Sequence, residues 1–168
     1  MNRPQRNLQF SKTQIRLYLD LILFILFLVT NAPQGTGIPF HEWIGIAFII
    51  PIVVHIVMDW QWMVSVTQRL FKKLNGETRF NHLWDVLLFI VMTLVIFSGV
   101  IVSRSALPAL GIPIQVDHTW VELHEATANL LIIMVGIHLA MHLKWIVSTM
   151  KRYIFQTNTR AVVVEAQS

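Results

Sequence analysis

The sequence predicts an all-α integral membrane protein, a four-helix bundle with a pseudo-two-fold internal repeat. Three observations carry this expectation. Of 168 residues, 55% are apolar and only 13% are charged, too apolar a balance for a soluble domain of this size. Four stretches, 15–32, 41–63, 83–103 and 120–146, meet or approach the roughly 20 apolar residues that cross a bilayer as a helix. The second half of the chain also repeats the first. The expected layout is a cytoplasmic tail over 1–14, a membrane domain over 15–155 and a second cytoplasmic tail over 156–168.

The first span is the weakest, because Asp20 sits near its start and its unbroken apolar core, Leu21 to Val29, is short. A cleaved leader is the alternative for this segment, but the repeat gives it a counterpart in span 3 and favours a retained helix. Asn31-Ala32-Pro33-Gln34-Gly35 then ends span 1 in a turn. Span 2 follows from His41, and span 3 opens after His82. Pro108, Gly111 and Pro113 cue a longer connection to span 4, with a short interfacial helix expected around Val116 to Leu123. The segment after Phe155 lacks periodicity.

Orientation follows from Lys and Arg. Arg3, Arg6, Lys12 and Arg16 precede span 1, Arg69, Lys72, Lys73 and Arg79 lie between spans 2 and 3, and Lys144, Lys151, Arg152 and Arg160 close the chain. Only Arg104 lies on the other side. The positive-inside rule therefore makes both termini and the middle connection cytoplasmic. The six Trp fit this frame, Trp43 and Trp120 at outer helix ends and Trp60, Trp62, Trp84 and Trp145 at inner ends. A net charge of +4 is thus explained by topology, and nucleic acid is not expected as a partner. With no Cys, disulfides, Cys-ligated iron-sulfur clusters and a covalently attached c-type haem are excluded.

An offset of 83 aligns 41–69 with 124–152 without a gap, and ten of the 29 positions are identical. They include His41/His124, Glu42/Glu125, His55/His138, Trp62/Trp145 and Arg69/Arg152, none of them cheap matches inside a membrane helix. Spans 1 and 3 echo each other more faintly through Asp20 and Asp85, at an offset of 65.

Each His-bearing span carries two imidazoles 14 residues apart, His41 with His55 and His124 with His138. At about 100° and 1.5 Å per residue, that spacing returns a side chain to within roughly 40° of its starting direction and about 21 Å along the axis. Both spans run the same way, so His41 comes level with His124 and His55 with His138. Two facing imidazoles at two depths are what two bis-His haems b require, since haem iron takes axial nitrogens from opposite sides of the ring. Gly45 and Ala128, repeat partners one turn below the outer pair, would leave room for the macrocycle, as would Gly99, Gly136 and Ala140. Plain helix packing explains small residues equally well. Arg104 is the candidate partner for outer propionates, and Arg69, Lys144 and Arg152 are the inner candidates.

Other polar residues receive quieter readings. His142, five turns after His124, is assigned to proton exchange, propionate contact or, first of these, solvation. His82 and His118 are read as exposed. Asp20 and Asp85 are read as first-turn carboxylates favoured by the helix dipole, with proton uptake as the alternative.

With these residues in view, the chain resembles bacterial four-helix transmembrane diheme cytochromes b. The run His124-Glu125-Ala126-Thr127-Ala128-Asn129-Leu130 followed by Gly136-Ile137-His138 is similar to the fourth helix of superoxide-oxidase-like and quinol-linked members. Those proteins take one ligand from the first helix, whereas span 1 here has none and span 2 supplies His55 instead. In that respect the chain is similar to respiratory cytochrome b and to a four-helix bacterial family found beside flavin- or iron-sulfur-bearing redox proteins. The resemblance implies a multi-pass protein of the bacterial inner membrane and does not carry superoxide chemistry across.

The expected function is transmembrane electron transfer through two haems b held by His41/His124 and His55/His138, in contact with lipid. The redox partner is a flavin, iron-sulfur or cytochrome subunit, with quinone as the other candidate. The alternative from a different class is a haem-free membrane adaptor or transporter-like bundle whose His residues serve packing or proton relay.

Overall fold

The computed structural model describes residues 11–69, 75–112 and 115–155. Every regular element among them is helical: α1 Lys12–Thr30, α2 Pro33–Thr36, α3 Ile38–Ala47, α4 Ile49–Arg69, α5 Gly76–Ile101, α6 Ala106–Ala109 and α7 His118–Met150, closed by a π-helical turn at Lys151–Phe155. Four segments are long and apolar enough to cross a membrane: α1, α3 with α4, α5, and α7 with its final turn.

Local chemistry sets the boundaries. Ser11 caps α1 reciprocally, its hydroxyl accepting from the Gln14 N–H at 3.3 Å while the Gln14 side chain accepts from the Ser11 N–H at 2.8 Å. Pro33 opens α2, and Gly37 turns the chain into α3 at φ 89°, a left-handed conformation that glycine adopts without steric cost. Pro51 has no N–H for the Ala47 carbonyl and its ring crowds that oxygen, which interrupts the second span at Phe48. Phe48 keeps helical dihedrals, so α3 and α4 together cross as one span.

Two expectations shift. α5 begins at Gly76, seven residues before the predicted 83, because Asn75 precedes it at the cap position and Glu77 suits its first turn, although those turns are too polar to read as membrane. The separate helix expected at Val116 to Leu123 is instead the start of α7. Asp117 accepts from the Thr119 N–H at 3.2 Å, and nothing breaks the helix from there to Met150. The long connection holds α6 at Ala106–Ala109 instead. The turn assigned to Pro113, the charges at Arg3, Arg6, Lys72, Lys73 and Arg160, and the tail over 156–168 lie outside the described residues.

α5 and α7 pack together most extensively, α1 lies against α3, α4 and α7, and α5 also meets α3 and α4. The two His-bearing spans therefore sit diagonally across the bundle, with α1 and α5 between them. At the centre a buried layer takes one residue from each span: Leu23, Phe48, Met92 and Leu131. Phe48 and Leu131 are repeat partners, each seven residues from the histidines above and below it. Facing outward, the repeat partners Ile50 and Ile133 are 72% and 63% exposed, as lipid-facing side chains are in a membrane helix.

Candidate functional site

At one end of the bundle the first turn of α3 presents His41 and the second turn of α7 presents His124. The His41 Nδ1 lies 2.7 Å from the Thr30 carbonyl oxygen, and the His124 Nδ1 lies 3.1 Å from that of Val95. A carbonyl can only accept, so each Nδ1 carries a proton, which in the neutral ring leaves Nε2 as the nitrogen able to bind a metal. The ring centres are 6.2 Å apart and the planes meet at 75°. Two imidazoles bound through Nε2 to opposite sides of one metal ion, with bonds of about 2 Å and about 1.1 Å from nitrogen to ring centre, would have centres about 6 Å apart. The observed spacing fits.

A cleft of about 330 Å³ opens beside these rings, and its walls include His41, His124, Gly45, Ala128 and Arg104. Every residue expected at the outer site thus lines one cavity. At Gly45 a Cβ would meet nothing within 4 Å. Gly99 works differently from the expectation: a Cβ there would fall 2.8 Å from the His124 Cε1, so this glycine makes room for the imidazole itself.

Glu42 received no role in the sequence beyond its repeat match. Its carboxylate accepts from the Ser103 hydroxyl at 2.8 Å and from the backbone N–H groups of Arg104, Ser105 and Ala106 at 2.9, 2.7 and 2.9 Å. One side chain thereby gathers the loop after α5 and holds it over the cleft, with Arg104 at the rim. Its counterpart Glu125 is exposed.

The other end is built from carboxylates. Asp20 Oδ1 on α1 lies 2.9 Å from His55 Nδ1 on α4, and Asp85 Oδ1 on α5 lies 3.1 Å from His138 Nδ1 on α7. The same relation recurs in each hairpin. This corrects the first-turn reading of both acids: α1 starts at Lys12 and α5 at Gly76, which puts each Asp more than two turns inside its helix. The acids orient imidazoles rather than neutralise helix ends. Among the described residues His55 and His138 do not make the direct ring contact seen between His41 and His124.

His142, left open between proton exchange, propionate contact and solvation, is half-buried, and its ring centre lies 4.7 Å from that of His138 at 61°. Asp85, His138 and His142 bring three ligand atoms within 4.8 Å of one another, a set that could hold a divalent cation, although it shares His138 with the pair facing α4. The repeat partner of His142, Asp59, is instead paired with Arg16 at 2.7 Å.

His82 is not exposed but buried, with Nε2 3.0 Å from the Thr67 hydroxyl and its ring edge-on to Trp62. The earlier start of α5 carries it into the bundle. His118 is exposed, as expected, beside Glu122. Trp84 does more than mark an interface, because its indole N–H donates to the Met134 carbonyl at 3.3 Å and ties α5 to α7. Of the remaining cations, Arg69 and Lys144 are exposed and the Arg152 guanidinium lies 5.3 Å over the Tyr153 ring.

The arrangement is a pair of polar stations separated by an apolar layer, each with imidazoles whose Nδ1 is fixed by a partner. A search of curated proteins and one of solved structures find no match. The family model described as prokaryotic cytochrome b561 matches residues 15–154, a stretch that holds nearly all of the bundle together with His41, His55, His124 and His138. The chain belongs to the prokaryotic cytochrome b561 family, whose members carry electrons in membranes on b-type haem.

Proposed function

We propose that this membrane cytochrome carries electrons between the two faces of the bilayer through two bis-histidine haems b, one on His41 and His124 and one on His55 and His138. The observation that carries the reading is the 6.2 Å separation of the His41 and His124 rings, with each Nδ1 already engaged by a carbonyl. The 14-residue spacing on both helices extends it to the second pair, where Asp20 and Asp85 hold the Nδ1 atoms. Haem bound by two imidazoles supplies one-electron chemistry and offers no open coordination position for oxygen.

The chain's own residues do the rest. Gly45 and Ala128 keep the walls of the cleft low, Gly99 admits the His124 ring, and the loop held by Glu42 covers the end of the site. Arg104 supplies positive charge at the rim for propionates. Leu23, Phe48, Met92 and Leu131 exclude water between the two levels. The basic segments orient the His55/His138 end and both termini toward the cytoplasm of the bacterial inner membrane. A redox subunit or a quinol exchanges electrons with the exposed ends.

The test is a reduced-minus-oxidised visible spectrum of the purified protein together with a haem titration. Two b-type haems per chain is the expected result, and one or none contradicts it. Turnover of quinol with an artificial acceptor by the protein alone would identify quinol as donor, whereas inertness until a redox subunit is added would identify the subunit.

A further inference from the structure

The two ends fix their imidazoles with different acceptors. At the His41/His124 end both Nδ1 atoms meet neutral backbone carbonyls, of Thr30 and Val95. At the His55/His138 end both meet carboxylates, Asp20 at 2.9 Å and Asp85 at 3.1 Å. A carboxylate draws the shared proton away from the ring and makes the opposite nitrogen a stronger donor. It also places negative charge next to the centre, which favours the more positive, oxidised metal. Both effects act in the same direction and both occur twice at one end.

Other charges leave the contrast standing. At this end Glu125 acts on His124 only from an exposed position, and Glu42 lines the cleft but touches neither imidazole. Its oxygens accept from four donors, and Arg104 lines the same cavity. At the opposite end Asp59 is matched by Arg16.

Resting on the two-haem reading above, we propose that Asp20 and Asp85 are positioning residues that set the His55/His138 centre at a lower reduction potential than the His41/His124 centre. The low-potential centre is then the natural entry point, and electrons move spontaneously from the His55/His138 end toward the His41/His124 end.

An equilibrium redox titration of the intact protein, followed in the visible haem bands, tests this. The wild type gives two waves. Asp20→Asn and Asp85→Asn each shift the lower wave upward and leave the upper wave in place, and the double substitution narrows the gap further. Movement of the upper wave, or of neither, overturns the proposal. His41→Leu and His55→Leu proteins, each retaining one centre, give an independent answer should the Asn variants lose haem. The centre left in the His41→Leu protein titrates lower, and the reverse order overturns the proposal while two haems per wild-type chain still stand. A count below two defeats the underlying reading and the proposal together.

Discussion

Phe48 and Leu131 pack into one buried layer, each seven residues from the histidine before it and the histidine after it. The layer is the physical midpoint of the repeat, and it divides the bundle into two polar stations that share no polar side chain. Truncating it should cost stability without touching a histidine. Leu131→Ala is expected to destabilise the bundle by about 2–4 kcal/mol, the usual range for a buried Leu whose surroundings relax only in part. Denaturant unfolding in detergent, followed by helical circular dichroism, measures it.

Gly99→Ala places a Cβ 2.8 Å from the His124 imidazole, a distance that real side chains do not keep. The ring must rotate away, so one haem band should weaken or shift while the helical content stays unchanged. Gly76→Ala, at the polar start of α5 where a Cβ would meet nothing within 4 Å, should leave the visible spectrum intact. Equal spectra for the two variants would contradict the placement of His124.

Glu42 ties Ser103 through Ala106 into the bundle by four hydrogen bonds. Glu42→Gln removes the charge and exchanges one acceptor oxygen for a donor, costing roughly 1–3 kcal/mol of local order. Limited trypsin cleavage after Arg104 reads this directly, and its rate should rise by about ten- to a hundredfold. In intact spheroplasts the same cut from the outside checks the proposed topology.

His82 is 3% exposed and its Nδ1 has no partner among the described residues, leaving Thr67 to satisfy the Nε2 side. Thr67→Val keeps the shape and deletes that contact, so a buried donor loses its acceptor at a cost of about 1–3 kcal/mol. Unfolding of the variant beside Leu131→Ala gives the figure on the same scale. An unchanged midpoint would mean that His82 finds another partner.

Much of this molecule can be read from its sequence because lipid imposes strict demands. Three apolar runs read as spans on length and composition alone, the first needed the repeat to tell it from a leader, and a repeated His-Glu followed by His 14 residues later is hard to arrange by chance. That periodicity already brought His41 level with His124. Rotation of one helix about its axis relative to another is less legible. It decides that Asp20 meets His55 and Asp85 meets His138, and the faint offset of 65 between the two acids was the available signal. Helix starts were the other difficulty. Polar first turns at Gly76, Glu77 and Arg79 hid the true beginning of α5, which moved His82 from a supposed surface into the interior and carried Asp85 out of the first turn. Glu42 was visible as a repeat match, but its role lies in folding a loop that hydropathy does not describe.

The pairing of histidines is tested most directly by haem counts on four single variants, His41→Leu, His124→Leu, His55→Leu and His138→Leu, with the spectrum of the remaining haem recorded for each. Each variant is expected to keep one haem, the first two retaining the same one and the last two the other. Retention of both haems by any variant, or a remaining haem that groups His41 with His55, would contradict it.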